Sequence, residues 1–196
     1  MLRKTMVILS ASALALAACG QKTGTTAAND TALATNDTTA FDANTAGTAN
    51  AVAPATGGQA FVNSAAASDA FEIATSKLAL DNSSSAAVKK YANQMITAHT
   101  ASTDKLKATT AGLTPALTPD PKLSAEQQTI VDSLKTKKGA DFDAAYITAQ
   151  QSGHQQTLDL LRGYAATGDV PALKTFATGL VPTVTAHLNM AKGLKS

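Results

Sequence analysis

From residue 59 onward, clusters of helix breakers punctuate the sequence, and between them apolar residues recur at steps of three and four. That pattern leaves little room for anything but a helical bundle. A 3.6-residue period gathers such positions on one face of an α-helix and scatters them over both faces of a strand. The breakers are DNSSS at 81–85, TPALTPDPK at 114–122, Gly139 and GDVP at 168–171. They delimit long helices over about 59–80, 85–111, 141–167 and 171–194, with a shorter one starting at Ser124. Ser85 and Ser124 are placed to cap, and Gln127 completes what resembles a capping box with Ser124. Asp141 is placed to cap the third long helix. Gly168, Asp169 and Pro171 read as a stop, a cap and a first-turn proline for the fourth. Pro182 should kink that helix. Alanine and leucine dominate and strand-like alternation is absent. The expectation is an all-α, antiparallel four-helix bundle with short joins and one extra short helix.

The stripes carry a second message. On the second long helix Val88, Tyr91, Met95, His99, Ser102 and Leu106 share a face. On the third the set is Tyr146, Ile147, Gln150, His154, Leu158 and Leu161, and on the fourth Leu173, Phe176, Leu180, Val184, His187, Ala191 and Leu194. The three histidines of the chain therefore fall one to a helix, each on an apolar stripe. The first helix offers Phe61, Ala65, Glu72, Thr75 and Ala79, and its charged member is Glu72. At a rise of ~1.5 Å per residue, Glu72 and His99 lie ~12 and ~21 Å from the turn between their helices. On the same rise His154 and His187 lie ~20 and ~26 Å from theirs. An up-down bundle can thus gather the four into one layer, or spread them over two turns.

The N-terminus reads as an address. Arg3 and Lys4 precede an apolar run from Met6 to Ala18, too short to span a membrane, which takes roughly 20 apolar residues. Leu16-Ala17-Ala18-Cys19 resembles the lipobox of bacterial lipoproteins, whose cysteine is acylated with palmitate-type chains after cleavage before it. Residues 1–18 are thus expected to be a lipoprotein signal peptide and Cys19 a lipid anchor. Gly20, in place of the aspartate that favours inner-membrane retention in such proteins, points to the outer membrane and a domain facing the periplasm. Cys19 is the only cysteine, so the bundle must stand without a disulfide. Residues 19–58 are rich in Thr, Ala, Asn, Gly and Asp, and Phe41 is their one large aromatic. Such a composition reads as a disordered tether reaching roughly 35 Å. Without Arg3 and Lys4 the formal charge falls from +2 to zero, which argues against nucleic acid as a partner. Nothing in the sequence names a protein partner.

Four blocks, in this order, carry a wider resemblance: FVNSAAASDAFEI with Glu72, VKKYANQMITAHT with His99, GADFDAAYITAQQSGHQQTLDLL with Asp143, Tyr146 and His154, and LKTFATGLVPTVTAHLNMA with Pro182 and His187. The domain at 59–196 resembles a bacterial family of ferritin-like proteins, secreted and often lipid-anchored. The family is labelled "predicted outer membrane protein" and catalogued as domain of unknown function 4142. The resemblance implies a ferritin-like bundle and no activity. In that family an acidic residue commonly precedes the first two histidines. Here Ala98 and Gly153 stand there, so any role needing those carboxylates has no residue to carry it.

The chemistry narrows accordingly. Di-iron sites in such bundles use a glutamate from each of two helices and a Glu-x-x-His pair from each of the others. This chain has only Glu72 and Glu126 and no Glu-x-x-His, which disfavours di-iron oxidation. Three imidazoles and Glu72 suit a mononuclear zinc, copper or nickel ion, with Asp143 and Tyr146 as outer partners. Met95 and Met190 lie near two of the histidines and would favour copper, although methionine at helical spacing commonly fills a core. The alternative is a buried hydrogen-bonded network that fixes helix register. No motif places a serine beside a histidine and an acid, and no glycine-rich phosphate loop occurs. Two functional readings follow. One is a non-catalytic, lipid-anchored envelope protein acting by interaction or stress protection. The other is a metal-binding protein with its site inside the bundle.

Overall fold

A computed structural model describes residues 57–196. The expected signal peptide, Cys19 and nearly all of the expected tether lie outside the described residues. Five helices follow in order: α1 (Gly58–Asn82), α2 (Ala86–Ala111), α3 (Ala125–Lys135), α4 (Gly139–Thr167) and α5 (Pro171–Gly193). The fold is an all-α bundle, with no strand among the described residues.

Side-chain capping accounts for the starts of α2 and α3. The Ser85 side chain accepts from the Val88 N–H to start α2. Ser124 and Gln127 cap one another reciprocally to start α3. Two expected caps fall differently. The residue before α4 is Lys138, in an extended conformation, and Gly139 follows at φ +60°, where glycine is favoured. Asp141 lies inside the first turn, where its charge suits the helix dipole without capping it. Asp169 does not cap α5. One of its oxygens accepts from the Gly58 N–H at the start of α1 and the other from the Tyr164 hydroxyl, at 3.3 and 2.8 Å. It ties the α4–α5 turn to the α1 N-terminus. Pro182 lies inside α5, which continues as one helix to Gly193.

The connectivity is not four helices on short joins throughout. Ser83–Ser85 join α1 to α2 and residues 168–170 join α4 to α5, but a long crossover separates α2 from α4. It runs back along α1. Gln59 donates to the Thr118 carbonyl, Asn63 accepts from the Asp120 N–H, and Asn82 at the far end of α1 donates to the Leu134 carbonyl of α3. The crossover delivers α4 antiparallel to α1, as the pairs Ser68–Thr157 and Ser76–Tyr146 show. In α5, Phe176 lies under Lys105 of α2, while the backbone carbonyl of His187 accepts from the Tyr91 hydroxyl, so that pair is antiparallel too. Each long helix thus packs on two antiparallel neighbours, with α1 diagonal to α5 and α2 to α4. A single long crossover is the connectivity of ferritin-like bundles.

Two apolar clusters fill the interior. Phe61, Val62, Leu106, Leu161, Tyr164, Leu173 and Phe176 belong to one. Val88, Met95, Val131, Leu134, Phe142 and Tyr146 belong to the other. Between them, at mid-height, comes a layer of buried polar groups: Asp69, Glu72, Thr75, His99, Gln150, His154 and His187. A polar layer through the middle of a bundle core is costly unless its members are partnered.

Candidate metal centre

Each histidine is held by its own helix, and the layer brings all three together. The ring centroids of His99, His154 and His187 form a nearly equilateral triangle with sides of 5.5, 5.5 and 5.6 Å. All three are buried. One ring nitrogen from each lies within 4.8 Å of the others. Bonds of ~2.0–2.1 Å to a common ion need ligand nitrogens about 3.4–3.6 Å apart, so a closing of roughly an ångström would complete the set.

What holds the rings is as informative as where they lie. His99 Nδ1 donates to Asp69 Oδ1 at 2.8 Å, and the other Asp69 oxygen accepts from the Thr103 hydroxyl. His154 Nδ1 donates to the Gln150 carbonyl at 2.8 Å, with Glu72 Oε1 also 3.5 Å away. Those bonds orient both rings through Nδ1 and leave both Nε2 atoms without a hydrogen-bond partner. His99 Nε2, His154 Nε2 and His187 Nδ1 are buried and carry no hydrogen bond. Imidazoles oriented through one nitrogen by a carboxylate or carbonyl, with the other bare, are how proteins present histidine to a metal.

Electrostatics follow from burial and from the charges of Asp69, Glu72 and His99. Burial works against the charged form of His99. The Asp69 hydrogen bond and the negative charges of Glu72 and Asp69 outweigh it, so the pKa of His99 stands above the ordinary value. Burial and the positive charge on His99 pull His154 down to about 3 and His187 to about 4. Those two rings are therefore neutral, as metal ligands must be. Burial pushes Glu72 up to about 7, against the pull of His99.

The expected outer residues fall in different places. Glu72 faces the Nδ1 side of His154 and is not part of the three-nitrogen cluster. Its approach depends on Gly153, since a Cβ there would come within 2.7 Å of Glu72 Oε1 and 3.2 Å of the Phe71 ring. Tyr146 bonds Ser76 at 2.8 Å and stands edge-on to Tyr91, which in turn tilts against the His154 ring. Asp143 is elsewhere: it accepts from Ser84 at the α1–α2 turn. Eleven residues along α4 put it ~16 Å from His154. Asp69 is the partner that the stripe pattern passed over. The available signal was the i, i+3 step from Asp69 to Glu72, which puts two carboxylates on adjoining faces of one helix. Of the methionines, Met95 is core filling and Met190 is exposed.

Residues 43–194 match the model of the family described as Domain of unknown function (DUF4142). The chain belongs to that family. Among solved structures it is similar to one described as "CopM in the Cu(II)-bound form", with a TM-score of 0.59 and 16% identity. The match covers 70% of this chain and 94% of that one, and at such identity the likeness is one of fold. No curated protein matches the chain by sequence.

Proposed function

We propose that the domain holds one divalent transition-metal ion between His99, His154 and His187, and that its preferred ion is Cu(II). Two observations carry this reading: three buried histidines from three helices bring one ring nitrogen each within 4.8 Å of one another, and each has a buried ring nitrogen with no hydrogen bond. A hydrogen-bonded network kept only for helix register should satisfy its own members, because a buried unsatisfied polar atom costs about 1–3 kcal/mol. Charge supports the divalent state. Asp69 and Glu72, both buried beside the cluster, together offset the ion's two positive charges once His99 and Glu72 release their protons on binding. Imidazole donors suit copper, nickel and zinc, and intrinsic affinities place Cu(II) highest among them. The Cu(II) named for the structural neighbour agrees with that order.

The role is storage or protection rather than turnover. The cavity beside the histidines measures about 30 Å³, against the ~300–1,000 Å³ that pockets for organic ligands occupy. The proposal extends to the address. Leu16–Cys19 supports acylation at Cys19, with residues 19–58 carrying the domain into the periplasm from the outer membrane. A copper-binding domain displayed there would intercept the ion before it reached other envelope proteins.

A competitive Cu(II) titration of the purified domain tests the metal reading. The wild type should take up one ion per chain. Asp69→Ala should weaken affinity by about 10–100-fold, the usual cost of losing a carboxylate behind a ligating histidine. Asp143→Ala should leave affinity unchanged. A wild type that binds no ion with more than the weak affinity of surface carboxylates would sink the proposal.

A further inference from the structure

Resting on that reading, we infer that the ion enters through the seam between α2 and α5 and meets His187 and His99 before His154. Three observations converge on this. The cavity beside the cluster is lined by Asp69, Ala98, His99, Ser102, Thr183 and His187, among others, but not by His154. Ala98 and Ser102 stand one turn apart on α2, and Thr183 and His187 one turn apart on α5. Small side chains therefore close the seam at the height of the histidines. Exposure follows the same gradient. His187 retains 8% of its surface, His99 4% and His154 1%.

The far side is shut by contrast. The Nδ1 side of His154 is covered by the Gln150 carbonyl and Glu72, and Phe71 and Glu72 press against Gly153. The groove of about 430 Å³ between α1, α2 and the crossover is lined by Ala66, Ala70, Ile73, Lys77, Leu106 and Lys107 among others, and by no histidine. Its two lysines would repel a cation. Capture is then a two-step event. The ion binds first to the pair of rings at the seam, shedding water, and His154 closes the set from within.

Stopped-flow mixing of the metal-free domain with Cu(II) tests this. Tyrosine fluorescence is the readout, because the Tyr91 ring lies 6.5 Å from the His154 ring and the chain has no tryptophan. Ala98→Leu and Ser102→Leu, at half-buried positions, should narrow the seam and leave the ligands intact. Association and dissociation should both slow by about tenfold or more with an unchanged equilibrium constant, since a narrowed path impedes both directions. Ala70→Leu, which fills the α1–α2 groove instead, should change neither rate. Of the ligand variants, His187→Ala should lose association rate. His154→Ala should keep it and dissociate faster. Slowing by Ala70→Leu but not by the seam variants would overturn the route, as would equal loss of association rate in His154→Ala and His187→Ala. A wild type that binds no Cu(II) would instead overturn the metal reading beneath it.

Discussion

Cu(II) at a thousandfold excess over its dissociation constant should stabilise the wild-type domain by about 4 kcal/mol, because an ion that binds only the folded chain adds RT ln(1 + [L]/Kd) to its stability. The three ligands come from α2, α4 and α5, so the ion would tie three helices together at one point. His154→Ala should remove most of that gain. It should also cost the metal-free domain less than a typical core truncation, because it deletes a buried nitrogen that is itself unsatisfied. A structural network predicts the opposite pattern: little response to metal in the wild type and a loss of about 1–3 kcal/mol in the metal-free variant. Thermal unfolding of both proteins, with and without ion, separates the two.

Phe61→Ala should be the most damaging single substitution in the metal-free domain, at about 3–5 kcal/mol. Phe61 is fully buried, stacks on Tyr164 with centroids 4.0 Å apart, and meets Phe176 edge-on at 6.4 Å. Those contacts join α1 to α4 and α5 at the end of the bundle where Asp169 already ties the α4–α5 turn to Gly58. Truncation leaves a cavity ringed by two aromatic faces that cannot follow the missing ring. For a domain of this size the midpoint should fall by roughly 10–20 °C. Phe61 lies three turns from Glu72, so Cu(II) affinity of the folded variant should stay at the wild-type value. A loss below about 1 kcal/mol would mean that α1 packs differently from the arrangement described.

The helices and their inward faces were legible because burial leaves a 3.6-residue trace in the sequence. Glu72, His99, His154 and His187 could each be assigned to an apolar stripe without any coordinates. Connectivity left no such trace. Periodicity says which face is buried but nothing about which end of α2 lies beside the start of α4. The 13 residues from Gly112 to Ser124 can span ~43 Å when extended, enough to run the length of a neighbouring helix. Asp143 and Asp69 show the same limit from two sides. Asp143 shares a face with His154 on α4, yet its height places it at the α1–α2 turn beside Ser84. Asp69 stands off the stripe containing Glu72, yet α2 crosses it at the height of His99. Both assignments depend on the relative height of two helices, which no single-helix pattern contains. Gly153 is a related case. A glycine inside a helix ordinarily weakens it by about 1 kcal/mol relative to alanine. Only the packing shows that the missing side chain makes room for Glu72.

Electron paramagnetic resonance of the Cu(II)-loaded domain tests the central claim most directly, because the splitting of the copper signal counts the nitrogens bound to the ion. Three histidine ligands predict coupling to three nitrogens in the wild type and to two in each of His99→Ala, His154→Ala and His187→Ala. A wild-type spectrum dominated by oxygen ligands, or one unchanged by any of the three substitutions, would place the ion elsewhere and contradict the assignment.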